Sequence, residues 1–254
     1  MTLPPPLTAL HDLDAQLAGS GYAVLDSASL ARLADVDEPS LRAWQALWQA
    51  LPEDHYLLDG GRYRRRRHGC FTVGPDGQVT AQPQRAHWQP LAYNALHGGL
   101  ERHFEPLDPA MAQDPAWSRL LQGLAALAAR LRGDAGATWC VEAHPLRIDT
   151  TDGIGRPTPE GAHRDGVDLV AVVLVARQGI KGGETRVFDA RGPQGMRFTL
   201  NEPWSVLLID DERVIHESTP IQPLDPARVG HRDTLVLTLR RGGFQGPELA
   251  EPAL

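Results

Sequence analysis

The sequence predicts a mainly β chain with some α content, a jelly roll buttressed by N-terminal helices. Helical patterns concentrate in residues 1–135, whereas from Thr138 onward short β-rich runs alternate with Gly, Pro and Asp turns, as in sandwiches and barrels. No internal repeat or low-complexity linker divides the chain. Residues 1–254 are therefore read as one domain, with a helical part over 1–135 and a jelly-roll part over 136–242.

In chain order, Leu41, Trp44, Trp48 and Leu51 recur at helical spacing after Ser40, a candidate N-cap. The Ala/Leu-rich run PAWSRLLQGLAALAARLR, starting at Pro115, stops before Gly133 and predicts a helix with a C-terminal stop signal. Strands are expected over residues 138–148, 168–176, 184–189, 197–200, 205–209, 214–217 and 234–240. Gly182-Gly183 reads as a turn into the third of these, because glycine accepts positive φ. Trp44, Trp48, Trp88 and Trp117 read as packing residues.

A net charge of −7 argues against a general nucleic-acid surface. Cys70 and Cys140 are the only cysteines, too few for a disulfide framework or a Cys-rich zinc site, and point to a reducing, cytoplasmic setting. The N-terminus lacks a basic segment followed by an apolar stretch, so no signal peptide is expected. The longest apolar run, residues 169–176, is too short to span a membrane.

The densest chemical signal is Glu160-Gly-Ala-His163-Arg-Asp165-Gly-Val-Asp168, just before an apolar strand. In extended chain, residues i and i+2 share a face, so His163 and Asp165 can reach one metal together. His216, on a later β segment, is the candidate third ligand. Two imidazoles and one carboxylate on one face of a metal leave positions for a bidentate 2-oxo acid and O2, the facial triad of non-haem Fe(II) oxygenases. Catalytic zinc sites use the same donors, so the ligands alone leave a zinc hydrolase open. A non-catalytic jelly-roll binding or sensor protein keeping the metal site is the other alternative.

A co-substrate anchor follows in His231-Arg232-Asp233-Thr234. Arg232 and Thr234 share a strand face, and a guanidinium with a neighbouring hydroxyl suits the distal carboxylate of 2-oxoglutarate. Arg228, in the preceding loop, is the competing anchor, and an ion pair with Asp233 is the competing role for Arg232.

The segments PEGAHRDGVD, GGETRVFD, LLIDDERVIH ending at His216, and HRDTLVLTL starting at His231 resemble a known family. It is the bacterial 2-oxoglutarate/Fe(II) dioxygenase family that includes the L-isoleucine 4-hydroxylases and related free amino acid hydroxylases. Tyr93-Asn94 and Gly98-Gly99 match its N-terminal pattern more loosely, and the resemblance covers roughly residues 60–242. It implies a double-stranded β-helix, iron ligands at His163, Asp165 and His216, and a 2-oxoglutarate anchor at Arg232 assisted by Thr234. It also implies O2 as co-reactant, a free amino acid or similar small molecule as substrate, and a substrate-shaping role for residues 1–135.

Residues 62–67, RYRRRR, depart from that pattern. A solvated edge strand is the plain reading; nucleic-acid binding is unsupported by any wider basic field. Strand alternation aims Arg62, Arg64 and Arg66 one way and Tyr63, Arg65 and Arg67 the other, and one arginine of the run, on either face, can hold a substrate carboxylate. Asp168 is read as a turn residue or a partner for a metal-bound His, Arg147 as a core-edge ion pair, and Glu184 as a turn residue able to face the pocket.

Overall fold

The computed structural model describes residues 3–247. Its strands are β1 (Tyr22–Leu25), β2 (Arg64–Arg66), β3 (Gly69–Val73), β4 (Val79–Ala81), β5 (Trp139–Asp149), β6 (Leu169–Gln178), β7 (Ile180–Gly182), β8 (Thr185–Asp189), β9 (Gly195–Phe198), β10 (Val206–Asp210), β11 (Val214–Ser218), β12 (Ile221–Pro223) and β13 (His231–Arg240). An eight-stranded sheet runs β1-β10-β6-β13-β5-β3-β4, with β2 also on β5. A smaller sheet, β11-β8-β9, faces it, and β12 pairs with β7. Every strand pair is antiparallel, as expected for a jelly roll.

Alternation along the strands sorts side chains between two layers. Leu235, Leu237 and Leu239 of β13, with Leu169, Ala171 and Val173 of β6, pack against the helical layer. Val170 and Leu174 turn the other way and meet Val187, Phe198 and Val214 of the smaller sheet. The helical layer comprises α1 (Leu13–Ser20), α2 (Ser27–Leu33), α3 (Glu38–Ala43), α4 (Pro109–Ala112) and α5 (Pro115–Arg132). Helix α5 has the sequence-predicted bounds, with Asp114 capping its first turn and Gly133 ending it in the left-handed region at φ 63°. It buries Trp117, Leu120, Leu121 and Leu124 against the sheet.

Three expectations need correction. Asp37, not Ser40, is the N-cap, its carboxylate accepting from the Ser40 N–H. Trp44 and Trp48 lie on a 3-10 helix spanning Trp44–Ala50 rather than in one long α-helix, although both are buried as expected. Residues 1–135 also contribute four strands, β1 to β4, to the main sheet, so this part completes the sheet as well as covering it. The loop after His216 carries β12. Cys70 and Cys140 are buried free thiols, and among the described residues no helix is long and apolar enough to cross a membrane.

Asp168 ties the layers together. It accepts from Arg132 Nε at 2.8 Å, from the Arg241 backbone N–H at 2.8 Å and from Arg241 Nη2 at 3.0 Å, while Arg132 Nη2 reaches Asp210 at 2.7 Å. It is thus a structural anchor between the end of α5 and the ends of β6, β10 and β13. Burial would raise its pKa, but the Arg241 N–H and the two guanidiniums outweigh burial and hold it below the ordinary carboxylate value. A depressed native pKa contributes stability above the unfolded-state value and loses it as pH falls through the native one. Asp168→Asn should therefore cost on the order of 3 kcal/mol at pH 7 in urea unfolding, and the gap from wild type should narrow below about pH 4.

Candidate metal centre

A short backbone bridge brings the two histidines together. The His163 N–H donates to the His216 carbonyl at 3.0 Å and the His216 N–H returns a bond to the His163 carbonyl at 2.9 Å. Their imidazoles consequently stand side by side, 4.7 Å between ring centres. His163 Nδ1 donates to the Gly161 carbonyl at 3.0 Å, which leaves Nε2 facing Asp165 Oδ1 at 3.7 Å. His216 Nε2 lies 3.8 Å from Asp165 Oδ2. One potential ligand atom from each of the three residues falls within 4.8 Å of the others. The three residues of the trio are brought together, His163 and Asp165 from the loop before β6 and His216 from β11.

The loop is shaped by residues to which the sequence reading gave no role. The Asp211 carboxylate accepts the backbone N–H groups of Asp165 at 2.9 Å, Gly166 at 2.7 Å and Val167 at 3.1 Å. Gln245 Nε2 donates to the carbonyls of Asp165 and Gly166. Gly166 sits at φ 77°, where a Cβ would lie 2.5 Å from the Tyr93 ring, so only glycine fits. Gln89 Nε2 donates to Asp165 Oδ1 at 3.0 Å. Asp211 lies inside a quoted family segment, and an acidic residue opening a turn between two apolar strands was the available signal.

Charge is shared unevenly. Burial disfavours the His163 cation, yet Asp165, and then Glu160 at 3.5 Å from the same Nε2, lift its pKa to about 10. Burial, then the charge of His163, pushes His216 down to about 4. Burial and the neighbouring Asp165 raise Asp211 to about 7.

The trio opens into a cavity of about 130 Å³ between the sheets. Its wall is the inward face of the main sheet: Arg232, Thr234, Val236 and Thr238 from β13, and Glu142, His144, Leu146 and Ile148 from β5. A register shift between Asp233 and Thr234 against β6 interrupts the ladder beside Arg232. Arg232 is 4% exposed. Among the described residues its guanidinium meets no hydrogen-bonding or ion-pair partner. Asp233, its sequence neighbour, is instead gripped by Arg147 through two bonds of 2.7 Å. Burial, then the nearby Arg177, lowers the Arg232 pKa to about 10. Arg228 points into solvent, its side chain 86% exposed beside Asp225, and does not line the cavity.

Residues 62–67 are not an open basic patch. Arg62, Arg65 and Arg67 pair with Asp152, Glu53 and Glu105 at the surface. Arg64 and Arg66 face the cavity as alternation predicts, but Arg62 does not. Glu184 accepts from Arg186 and does not line the cavity. A second buried cluster, His68, His87, Glu142 and His144, also has its ligand-type atoms within 4.8 Å of one another. Glu142 and His144 share β5, whereas His68 and His87 come from other parts of the chain.

With this geometry in place, comparison decides among the readings left open. The model of the 2OG-Fe dioxygenase family matches residues 45–238. The chain belongs to that family. It is a 2-oxoglutarate-dependent non-haem iron dioxygenase using Fe(II), rather than a zinc hydrolase or a catalytically silent sensor. The chain is 55% identical to a bsmA homologue from Methylobium petroleophilum PM1, with a TM-score of 0.90 over 96% of this chain and 98% of that one. IDO from Bacillus thuringiensis shares the fold at 17% identity and a TM-score of 0.75, over 92% of this chain and all of that one. A Pseudomonas putida prolyl-4-hydroxylase does so at 16% and 0.50, over 92% of this chain and all of that one. No curated protein matches the chain. These neighbours support the jelly roll, and the isoleucine hydroxylase subgroup is not singled out by them.

Asp211→Ala should release the loop it holds. Hydrogen exchange at the amides of Asp165, Gly166 and Val167 is expected to accelerate well beyond that of β13 amides, whereas unchanged protection would show that Gln245 suffices.

Proposed function

We propose that the chain hydroxylates a free L-amino acid or similar small molecule, with His163, Asp165 and His216 holding Fe(II) and Arg232, assisted by Thr234, anchoring 2-oxoglutarate. The observation carrying this reading is the unpartnered Arg232 guanidinium in the same cavity as the trio. A buried cation without an anion is costly, and the distal carboxylate of 2-oxoglutarate supplies the missing partner. Two imidazoles and one carboxylate within 4.8 Å form a donor set suited to Fe(II) with open positions for co-substrate and O2. A cavity of about 130 Å³ is small beside typical drug-sized sites and suits a small molecule.

Bound there, the iron supplies the O2 chemistry: one oxygen atom goes to the substrate C–H carbon and the other to 2-oxoglutarate, which leaves as succinate and CO2. The protein orients and shields. The Gly161 carbonyl keeps a proton on His163 Nδ1, so that Nε2 faces the site. Gln89 and Asp211 fix the Asp165 side chain and backbone. Val172 and Val236 supply apolar wall between the sheets and exclude water.

Anaerobic Fe(II) with 2-oxoglutarate should give a weak visible charge-transfer absorption that disappears in His163→Ala. Arg232→Ala should raise the 2-oxoglutarate concentration needed for it by about 30-fold or more. A normal absorption in both variants would overturn the assignment. A screen of free L-amino acids for succinate release and a one-oxygen mass gain tests the substrate class, and a blank panel would remove the amino acid reading.

A further inference from the structure

Three more guanidiniums, of Arg64, Arg66 and Arg102, line the same cavity at 6%, 5% and 2% exposure. Arg64 is matched to Asp54 at 2.7 Å. Arg66 lies 4.1 Å over the Phe104 ring and donates Nη2 to His144 Nδ1 at 2.6 Å. Arg102 donates Nη2 to Gln89 Oε1 at 3.0 Å. Among the described residues neither Arg66 nor Arg102 pairs with a carboxylate, and the Nη1 of each donates to nothing. Arg64 Nη2, Arg66 Nε and Arg102 Nε are buried without partners. Register separates this group from Arg232: Arg64 and Arg232 flank Ile148 from opposite sides of β5, so their backbones stand two strand spacings, roughly 10 Å, apart.

The neighbouring histidines could suggest a second cation site, but the protonation pattern argues against it. His144 Nδ1 accepts from Arg66, so the proton of neutral His144 sits on Nε2 and neither nitrogen offers a free lone pair. Burial, together with the surrounding histidine and arginine charges, keeps His87 and His144 neutral, their pKa values far below the usual one. Glu142 is the one carboxyl group in the cluster, and its oxygens face His68 at 3.2 Å and His87 at 3.6 Å. Neutral imidazoles beside unmatched guanidiniums attract an anion.

We propose that Arg66 and Arg102, backed by the Arg64–Asp54 pair, form a subsite for a carboxylate of the primary substrate, so that the enzyme takes a free carboxylic acid rather than its amide or a residue inside a peptide. This rests on the function proposed above, because it takes the Arg232 end of the cavity to belong to 2-oxoglutarate. Arg102 also bonds Gln89, which bonds Asp165, so the subsite lies next to the trio. A carboxylate held there presents the carbon chain attached to it towards the metal. Each guanidinium offers it a charge-assisted bond.

The test uses the intact chain, anaerobic, with Fe(II) and 2-oxoglutarate. The free L-amino acids and their primary amides are titrated separately by thermal shift. At least one acid should raise Tm while its amide does not. Arg66→Gln and Arg102→Lys should each weaken that acid by about 30-fold or more. The Tm rise caused by 2-oxoglutarate alone should persist in both variants, which also reports that they fold. Should Arg66→Gln lose that rise through misfolding, Arg102→Lys carries the test. Loss of the 2-oxoglutarate response in the wild type would instead count against the proposed function, and acid binding is read independently of it. Equal binding of acid and amide, no response to any acid, or wild-type affinity in a folded variant would overturn the subsite. So would a response to inorganic phosphate alone, or uptake of a second Fe(II) per chain that His68→Ala abolishes.

Discussion

The site depends on the register of β13 between β5 and β6. Ten residues of β13 pair with β5 without a break, so successive side chains are committed to opposite faces. Leu235, Leu237 and Leu239 enter the helix-facing core, and Arg232, Thr234, Val236 and Thr238 have only the cavity to enter. A one-residue slip would bury a guanidinium in the apolar core and expose three leucines. The core thus enforces the position of a cation that no group among the described residues satisfies. Trp48 adds a lock, its indole N–H shared between the carbonyls of Leu146 on β5 and Thr234 on β13.

That enforcement leaves four guanidiniums on the cavity wall, of which only that of Arg64 is paired with a carboxylate among the described residues. Surface arginines of the 62–67 segment find acids nearby, while the inward ones on β2 find one acid, Asp54, between them. An unpaired buried cation lowers stability, and such a cost persists where the surrounding structure over-determines it. The small sheet, the main sheet and the helical layer together provide that constraint. Anionic ligands bound on these guanidiniums would add stability to the folded state by mass action.

Most of the jelly roll was legible because apolar runs bounded by Gly, Pro and Asp carry their own boundaries, and α5 because its caps and Ala/Leu content agree. Strands β1 to β4 were not, since three to five residues such as YAVL or RRR have no period of their own and become strands only by pairing with a neighbour such as β10 or β5. The shift of the cap from Ser40 to Asp37 reflects two suitable capping residues three positions apart, with Pro39 favouring the earlier start. At the site, residues sharing a strand were legible through the i, i+2 rule: Arg232 with Thr234, Arg64 with Arg66. Arg62 broke the rule because it precedes β2 and is drawn to Asp152. Gln89, Arg102 and Asp211 act across long sequence separations from loops and turns, where no periodicity announces which way a side chain points.

The orientation of Gln89 shows how closely the two halves of the site are linked. Its Oε1 accepts from Arg102 Nη2 and Asn94 Nδ2, both at 3.0 Å, and neither donor could accept from an amide NH2 in that position. The NH2 end must therefore face Asp165, where a carboxylate needs a donor. Turned around, the amide would set its oxygen against Asp165 and its NH2 against a guanidinium, two repulsions in place of three bonds. Arg102 thus fixes the side of Gln89 presented to a proposed metal ligand while forming part of the proposed substrate subsite. A ligand drawing on Arg102 would act on Asp165 through one intervening side chain, giving the N-terminal part of the chain a physical route to the trio held by the jelly roll.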